Sequence, residues 1–327
     1  MHSDKKFVFI GGTGRCGTTI FAKTLGMMSS LYTWPVETRF ITDPDGLLGL
    51  KSGLVDNWSP YQANMSVSRF QKLMKSLKYR FLGNYPNIGL KRSVGSSYDE
   101  IVAEYVTGLQ SYGYRAIWTG NSNMAMSILS RLIKNKKLFK AVFARDNFFS
   151  VPLDTETFNK KTGEFTEKLL YAPVSSKKGI KAVIDHTPYS ILYCDFIKEM
   201  LPESKFIHIY RDPRDVAASF IQNKWGPENI EKAAQWVRSI YERWENKKTK
   251  LETGDYIEIK FEDFIEKPEY ILEKTCEFIG VSYEKKKIGP DLTKANIGRW
   301  KNQLSRNELK IIEKYLGNYV EKYQYEK

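Results

Sequence analysis

Apolar positions along this chain fall into two periods. Residues 6–10 (Lys-Phe-Val-Phe-Ile) form a short apolar run ending in glycines, the pattern of a strand buried in a parallel sheet. Residues 180–185 (Ile-Lys-Ala-Val-Ile-Asp) and 205–210 (Lys-Phe-Ile-His-Ile-Tyr) predict two more buried strands, each followed by a proline-containing turn and a helical stretch. Residues 255–260 alternate and predict a fourth. Apolar residues at three- and four-residue spacing predict helices over 67–82, 97–111 and 123–140. Segment 17–29 has helical composition, and 268–280 and 305–323 read as the last helices. Strands alternating with helices imply a single α/β domain over 1–327 with a largely parallel central sheet. Stretches 41–65 and 145–179 are rich in Gly, Pro, Asn and Ser and read as long connections, candidate substrate-binding insertions.

Composition narrows the classes. Of 327 residues, 42% are hydrophobic and 14% aromatic, enough for a sizeable core rather than a disordered chain. The net charge of +13 suits a polyanionic partner without naming it. Basic residues are scattered and no DNA- or RNA-binding motif occurs, so no nucleic-acid partner is expected. Cys16, Cys194 and Cys276 are odd in number, far apart and in no metal-ligand spacing. That argues against a disulfide framework and for a reducing, cytoplasmic compartment. The opening apolar run is too short for a secretory h-region or a membrane span.

Chemistry first shows at Gly11-Gly12-Thr13-Gly14-Arg15-Cys16-Gly17-Thr18-Thr19, between a predicted strand and a predicted helix. A helix N-terminus presents free N–H groups and a positive dipole end, and glycines let backbone wrap an anion closely. Gly12-x4-Gly17 has Walker A spacing, but Thr18 stands where the triphosphate lysine belongs, which argues against ATP or GTP hydrolysis. Gly11-x2-Gly14-x2-Gly17 also matches a dinucleotide pattern, with Glu37 roughly where a ribose-binding acid falls. This loop alone leaves an NAD(P)-dependent oxidoreductase or epimerase open.

The stretch Phe206 to Ser219 decides between them. It reads as a strand, a tight turn and a helix, with Asp212 placed to cap and Pro213 to open that helix. Arg211 emerges at the C-terminal end of the strand, where open α/β sheets bind ligands, and Ser219 can join it on one phosphate. A dehydrogenase has no use for this second anion site; a nucleotide with separate 5′- and 3′-phosphates does.

Here the chain resembles the family of sulfotransferases that use 3′-phosphoadenosine 5′-phosphosulfate (PAPS). The family's Lys/Arg-Ser-Gly-Thr-Thr appears as Arg15-Cys16-Gly17-Thr18-Thr19, and its Arg-x-x-x-Asp-Val-Ala-x-Ser as Arg211 through Asp215 to Ser219. A Tyr-Glu-Asp-Leu element followed by Cys-Glu-Phe-Leu-Gly is matched by Phe261-Glu262-Asp263-Phe264 and Cys276-Glu277-Phe278-Ile279-Gly280. The late Gly-x-Trp-Lys-Asn is matched by Gly298-Arg299-Trp300-Lys301-Asn302. Four segments in family order along most of the chain are a specific signal.

The resemblance implies a P-loop-like architecture, PAPS as co-substrate, 3′,5′-adenosine diphosphate as product and no metal. It implies that Gly14, Cys16, Gly17, Thr18 and Thr19 cradle the 5′ side while Arg15 neutralises the departing phosphate. It assigns Arg211 and Ser219 to the 3′-phosphate. Lys294 matches a basic position of cytosolic members, and the arginine beside it in the family is Thr293 here, with Arg299 as its substitute. Two residues are candidates for the base that takes the acceptor's proton. Glu37, in Glu37-Thr38-Arg39, resembles a segment of protein-tyrosine sulfotransferases and is preferred. His186, in His186-Thr187-Pro188, resembles the His-x-Pro of cytosolic sulfotransferases, and otherwise positions the acceptor. Arg39 is a candidate contact for an acidic acceptor, or a partner for a carboxylate. A non-catalytic nucleotide-binding protein of the same fold is the other reading; acceptor identity (glycan, peptide tyrosine or small molecule) and oligomeric state are not legible.

Overall fold

The computed structural model describes residues 6–80, 88–117, 133, 135–285 and 291–326. Five strands form one parallel sheet in the order β2 (Leu31–Thr33), β5 (Ala182–Asp185), β1 (Lys6–Gly12), β6 (Lys205–Tyr210), β7 (Tyr256–Lys260). The protein is a single α/β domain with helices on both faces of that sheet. Alternation along β1 divides the core: Phe7 and Phe9 pack into the cluster under one face, Val8 and Ile10 into the cluster under the other. Phe9 stacks on Phe206 of the neighbouring strand with ring centroids 5.9 Å apart. Truncating a buried aromatic of this kind costs about 3–5 kcal/mol, so the two central strands form a stiff base for whatever their ends carry.

All five strands point the same way, which gathers their C-terminal ends on one edge. The order also separates this fold from a dinucleotide-binding one. There β1 and β2 are neighbours; here β5 lies between them, and the loop after β2 that carries Glu37 reaches the site from the far side of β5.

The strand expectations agree with the observed elements to within two residues at each end. Strand 255–260 is β7, and the late helices are Pro268–Ile279 and Arg306–Lys322, the second opened by a Ser305/Glu308 capping box. Helix 97–111 is Tyr98–Gly108. The helix expected at 67–82 starts earlier, at Pro60, because the Ser59 hydroxyl accepts the Gln62 N–H and Pro60 supplies a preset first turn. Of the helix expected at 123–140, residues 123–132 and 134 lie outside the described residues, and Lys136–Phe143 is helical.

The two presumed long connections are largely helical and need correction. Segment 41–65 contains the helix Leu47–Lys51, a π turn Ser52–Asp56 and the start of the Pro60 helix. Segment 145–179 contains β4 (Arg145–Phe149), which pairs antiparallel with β3 (Tyr112–Ala116), and the helix Thr155–Tyr171, capped by Asp154. That helix buries Phe158, Phe165, Leu169 and Leu170, spaced to line one face. Its Thr, Asn and Gly had masked the period. Among the described residues no helix is long and apolar enough to cross a membrane.

Candidate active site

Between β1 and the helix Thr18–Leu25 the chain makes a tight loop. Gly14 (φ 74°), Arg15 (φ 57°) and Gly17 (φ 101°) all take left-handed backbone, which bends the chain sharply between strand and helix. Gly17 is required twice over: its φ disfavours a side chain, and a Cβ there would run into the Phe261 ring. As N-cap it brings no capping side chain, so the first N–H groups of the helix remain available to an anion. Thr18 is buried and Thr19 exposed. The Cys16 thiol points down into the core, fully buried, with its pKa raised by desolvation.

The second anion grip stands beside the first. Gly12 of β1 pairs with Ile209 of β6, so the loop and Arg211 leave adjacent strand ends. The Arg15 Nε donates to the Ser219 hydroxyl at 3.0 Å, and an Arg211 Nη1 donates to the Arg15 carbonyl at 3.5 Å. Arg211 is buried; its Nη2 donates to Asp215 at 2.9 Å and to the Asn296 carbonyl at 2.6 Å, while its Nε has no partner among the described residues. A buried guanidinium N–H left unsatisfied is costly, and a phosphate oxygen is its natural complement.

Asp215, which motif reading treated only as a pattern letter, organises the third wall. It accepts the N–H groups of Gly298 at 2.8 Å and Trp300 at 3.0 Å, and Trp300 carries the Arg214 guanidinium 3.9 Å over its ring. This seats Arg299, which donates to Gln222 at 2.6 Å. Burial and the like charges of Arg211 and Arg15 hold its pKa below the ordinary arginine value, which places three guanidiniums in one positive field. The side chain of Lys294 lies outside the described residues.

Opposite them stands the loop after β2. Buried Asp185, last residue of β5, accepts the Thr38 N–H at 3.1 Å and the Thr187 N–H at 3.2 Å, and the Arg39 N–H donates to the Thr187 hydroxyl at 3.3 Å. These bonds fix Glu37 over the strand ends. Glu37 accepts from Arg39 at 3.3 Å, and Arg39 donates to Asp43 at 2.7 Å. Burial raises the Glu37 pKa, Arg39 opposes the rise, and Asp185 and Asp43 add to it. Asp43 was missed in the sequence, although its i+4 spacing from Arg39 was visible. His186 is buried below this loop. Neither ring nitrogen has a hydrogen-bond partner among the described residues, and desolvation holds its pKa down against the nearby Asp185 charge.

One cleft of about 810 Å³ joins these parts. Gly14, Arg15, Gly17, Thr18 and Thr19 line it from the loop, Arg211 from β6, and Glu37 and Arg39 from the far wall. Ser219 reaches it through Arg15, whereas Cys16 and His186 are buried and do not line it. Tyr189, Trp225 and Trp236 also line it. None of these three was singled out from the sequence, because an isolated aromatic reads as core.

Comparisons with known proteins bear on the family and the fold. A model of the sulfotransferase family matches residues 121–285. An uncharacterized protein of Aquifex aeolicus is 28% identical over 113 residues, 31% of this chain and 14% of that protein. A putative protein-tyrosine sulfotransferase of Caenorhabditis briggsae is 26% identical over 107 residues, 31% of this chain and 38% of that protein. The match thus spans well under half the length of either curated relative. Among solved structures, the sulfotransferase domain of the Synechococcus PCC 7002 olefin synthase superposes with a TM-score of 0.52 over 95% of this chain and 94% of that one, at 15% identity, which speaks to fold.

Proposed function

The chain belongs to the sulfotransferase family, and from that premise we propose that it transfers a sulfuryl group from PAPS to an acceptor hydroxyl or amine. The observation that carries the reading is the convergence of two anion grips and one carboxyl of raised pKa on a single cleft. Fit to the donor rests on the helix start at Thr18, which no side chain caps, and on the unsatisfied Arg211 Nε. The loop from Gly14 to Thr19 would hold the 5′ side; Arg211 and Ser219, with Arg299 alongside, would hold the 3′-phosphate. The donor supplies the sulfuryl group and departs as 3′,5′-adenosine diphosphate.

The protein's own part is proton transfer, charge stabilisation and alignment. Glu37, in its ionised form, takes the proton of the acceptor hydroxyl or amine through a carboxylate oxygen. Its raised pKa makes it a stronger base than an exposed glutamate. Arg15 and the N–H groups of the helix start stabilise negative charge growing on the departing phosphate. Because the grips sit on stiff strand ends, they need little reorganisation as that charge grows. His186, buried and not lining the cleft, is not placed to exchange the proton; its neighbours Asp185 and Thr187 hold the loop that carries Glu37.

Two measurements test this together. Calorimetric titration should show 3′,5′-adenosine diphosphate binding and no comparable NADPH binding, and sulfate from labelled PAPS should reach an acceptor in a mixed panel. NADPH binding in preference to the diphosphate would refute the proposal.

A further inference from the structure

Trp225 and Trp236 are among the large apolar side chains that stay exposed, at 55% and 38%, and both line the cleft. Leaving an indole in water forgoes burial that folding normally favours. Their other sides are well supported. Trp236 stacks on buried Phe220 with centroids 5.5 Å apart, Trp225 meets Phe220 edge-on at 5.4 Å, and the two indoles lie 6.3 Å apart. Phe220 abuts the anion loop at Gly14. Tyr189 lines the cleft with them; burial raises its pKa, the Trp236 indole opposes the rise, and the charges of Cys16, Glu37 and Arg39 also act on it. Trp225, Trp236 and Tyr189 thus line the one cleft that Glu37 and Arg39 also line.

Charge on the wall that carries Glu37 differs from that on the guanidinium side of the cleft. Arg39 is bracketed by Glu37 and Asp43, one guanidinium against two carboxylates. An acidic acceptor would meet net negative charge there, while an uncharged one would not.

We propose that the acceptor is an uncharged, ring-bearing hydroxyl compound whose ring face stacks on Trp225 and Trp236 while its hydroxyl faces Glu37. This deepens, and rests on, the sulfuryl-transfer reading. A sugar ring and a phenol share the required chemistry: a flat or C–H-rich face for an indole and a transferable hydroxyl proton.

The experiment uses the full chain and three probes: methyl glycosides, 2-naphthol and an acidic tyrosyl peptide. Without donor, glycoside or naphthol should change the intrinsic tryptophan fluorescence, and Trp225→Ala and Trp236→Ala should each weaken that response. With labelled PAPS, either variant should raise the KM for the better ring probe roughly tenfold while affinity for 3′,5′-adenosine diphosphate stays as in wild type. Trp225→Phe and Trp236→Phe, which keep a ring face, should recover most of the loss and guard against misfolding. The relative response to glycosides and naphthol tells sugar from phenol. Weaker diphosphate binding in the alanine variants would make the platform a seat for the donor's adenine and overturn the proposal, as would a preference for the acidic peptide or an unmoved KM. A wild-type protein that binds a ring probe by fluorescence yet neither binds the diphosphate nor transfers sulfate would sink the donor reading instead.

Discussion

Glu37 and Glu258 are one residue type in two settings. Glu37 stands over the cleft with a single guanidinium beside it and two carboxylates within electrostatic reach, so burial wins and its pKa rises. Glu258, on β7, is also largely buried, and burial pushes it the same way. Yet His208 Nδ1 at 2.9 Å, the Trp244 indole N–H at 2.8 Å and Lys248 at 3.0 Å all converge on its carboxylate, and its pKa falls to about 2. The number of donors, rather than the depth of burial, decides which carboxyl remains a permanent anion and which can exchange a proton. The first kind binds β6, β7 and the Ile230–Lys248 helix together; the second is suited to catalysis.

The sharpest test of that contrast is Glu37→Gln. Turnover with labelled PAPS should drop about 10²–10⁴-fold, with 3′,5′-adenosine diphosphate affinity unchanged by calorimetry. Its stability should not fall. A folded-state pKa above the unfolded one means the ionised form costs stability at neutral pH, so removing the charge leaves Tm unchanged or slightly higher. A large loss of Tm would show that Glu37 is structural, like Glu258.

Arg211→Lys comes next. It keeps the charge near Asp215 but loses the planar fork. Diphosphate binding should weaken roughly tenfold or more, with a much smaller change for 5′-AMP, which has no 3′-phosphate. Equal losses for both nucleotides would separate Arg211 from the 3′ group.

Glu258→Gln should reverse the Glu37 result: turnover near wild type, but urea unfolding at pH 7 showing a stability loss on the order of 2–3 kcal/mol. The sign follows from the depressed pKa. Wild-type Glu258 contributes stability above its unfolded value near 4.5 and loses it as pH falls toward about 2; the variant should lack that acid-dependent part.

Two smaller effects refine the picture. The acid limb of kcat/KM should lie above the ordinary glutamate range, since Glu37 must be ionised to accept a proton. His186→Ala should lower turnover less than tenfold, an estimate for a residue that supports a site without touching the reacting atoms. If His186→Ala abolishes turnover while Glu37→Gln does not, the base is His186.

The sequence by itself was sufficient where the physics is local. An apolar run ending in glycines must be a strand meeting a turn, and β1 and its loop are that. A Pro after a capping Asp must open a helix, and Pro213–Phe220 obeys, with Asp212 accepting the Arg214 N–H. The helix in 145–179 was missed because its turn-forming residues outweighed a buried stripe that only packing reveals. The rest needed residues brought together from far apart. Arg15 meets Ser219 across 204 positions, Thr38 meets Asp185 across 147, and Asp215 reaches Trp300 across 85. Strand order, the direction of the Glu37 pKa and the exposure of Trp225 and Trp236 depend on which neighbours displace water. Burial and electrostatic reach are properties of the folded surface, so only tertiary structure could decide them.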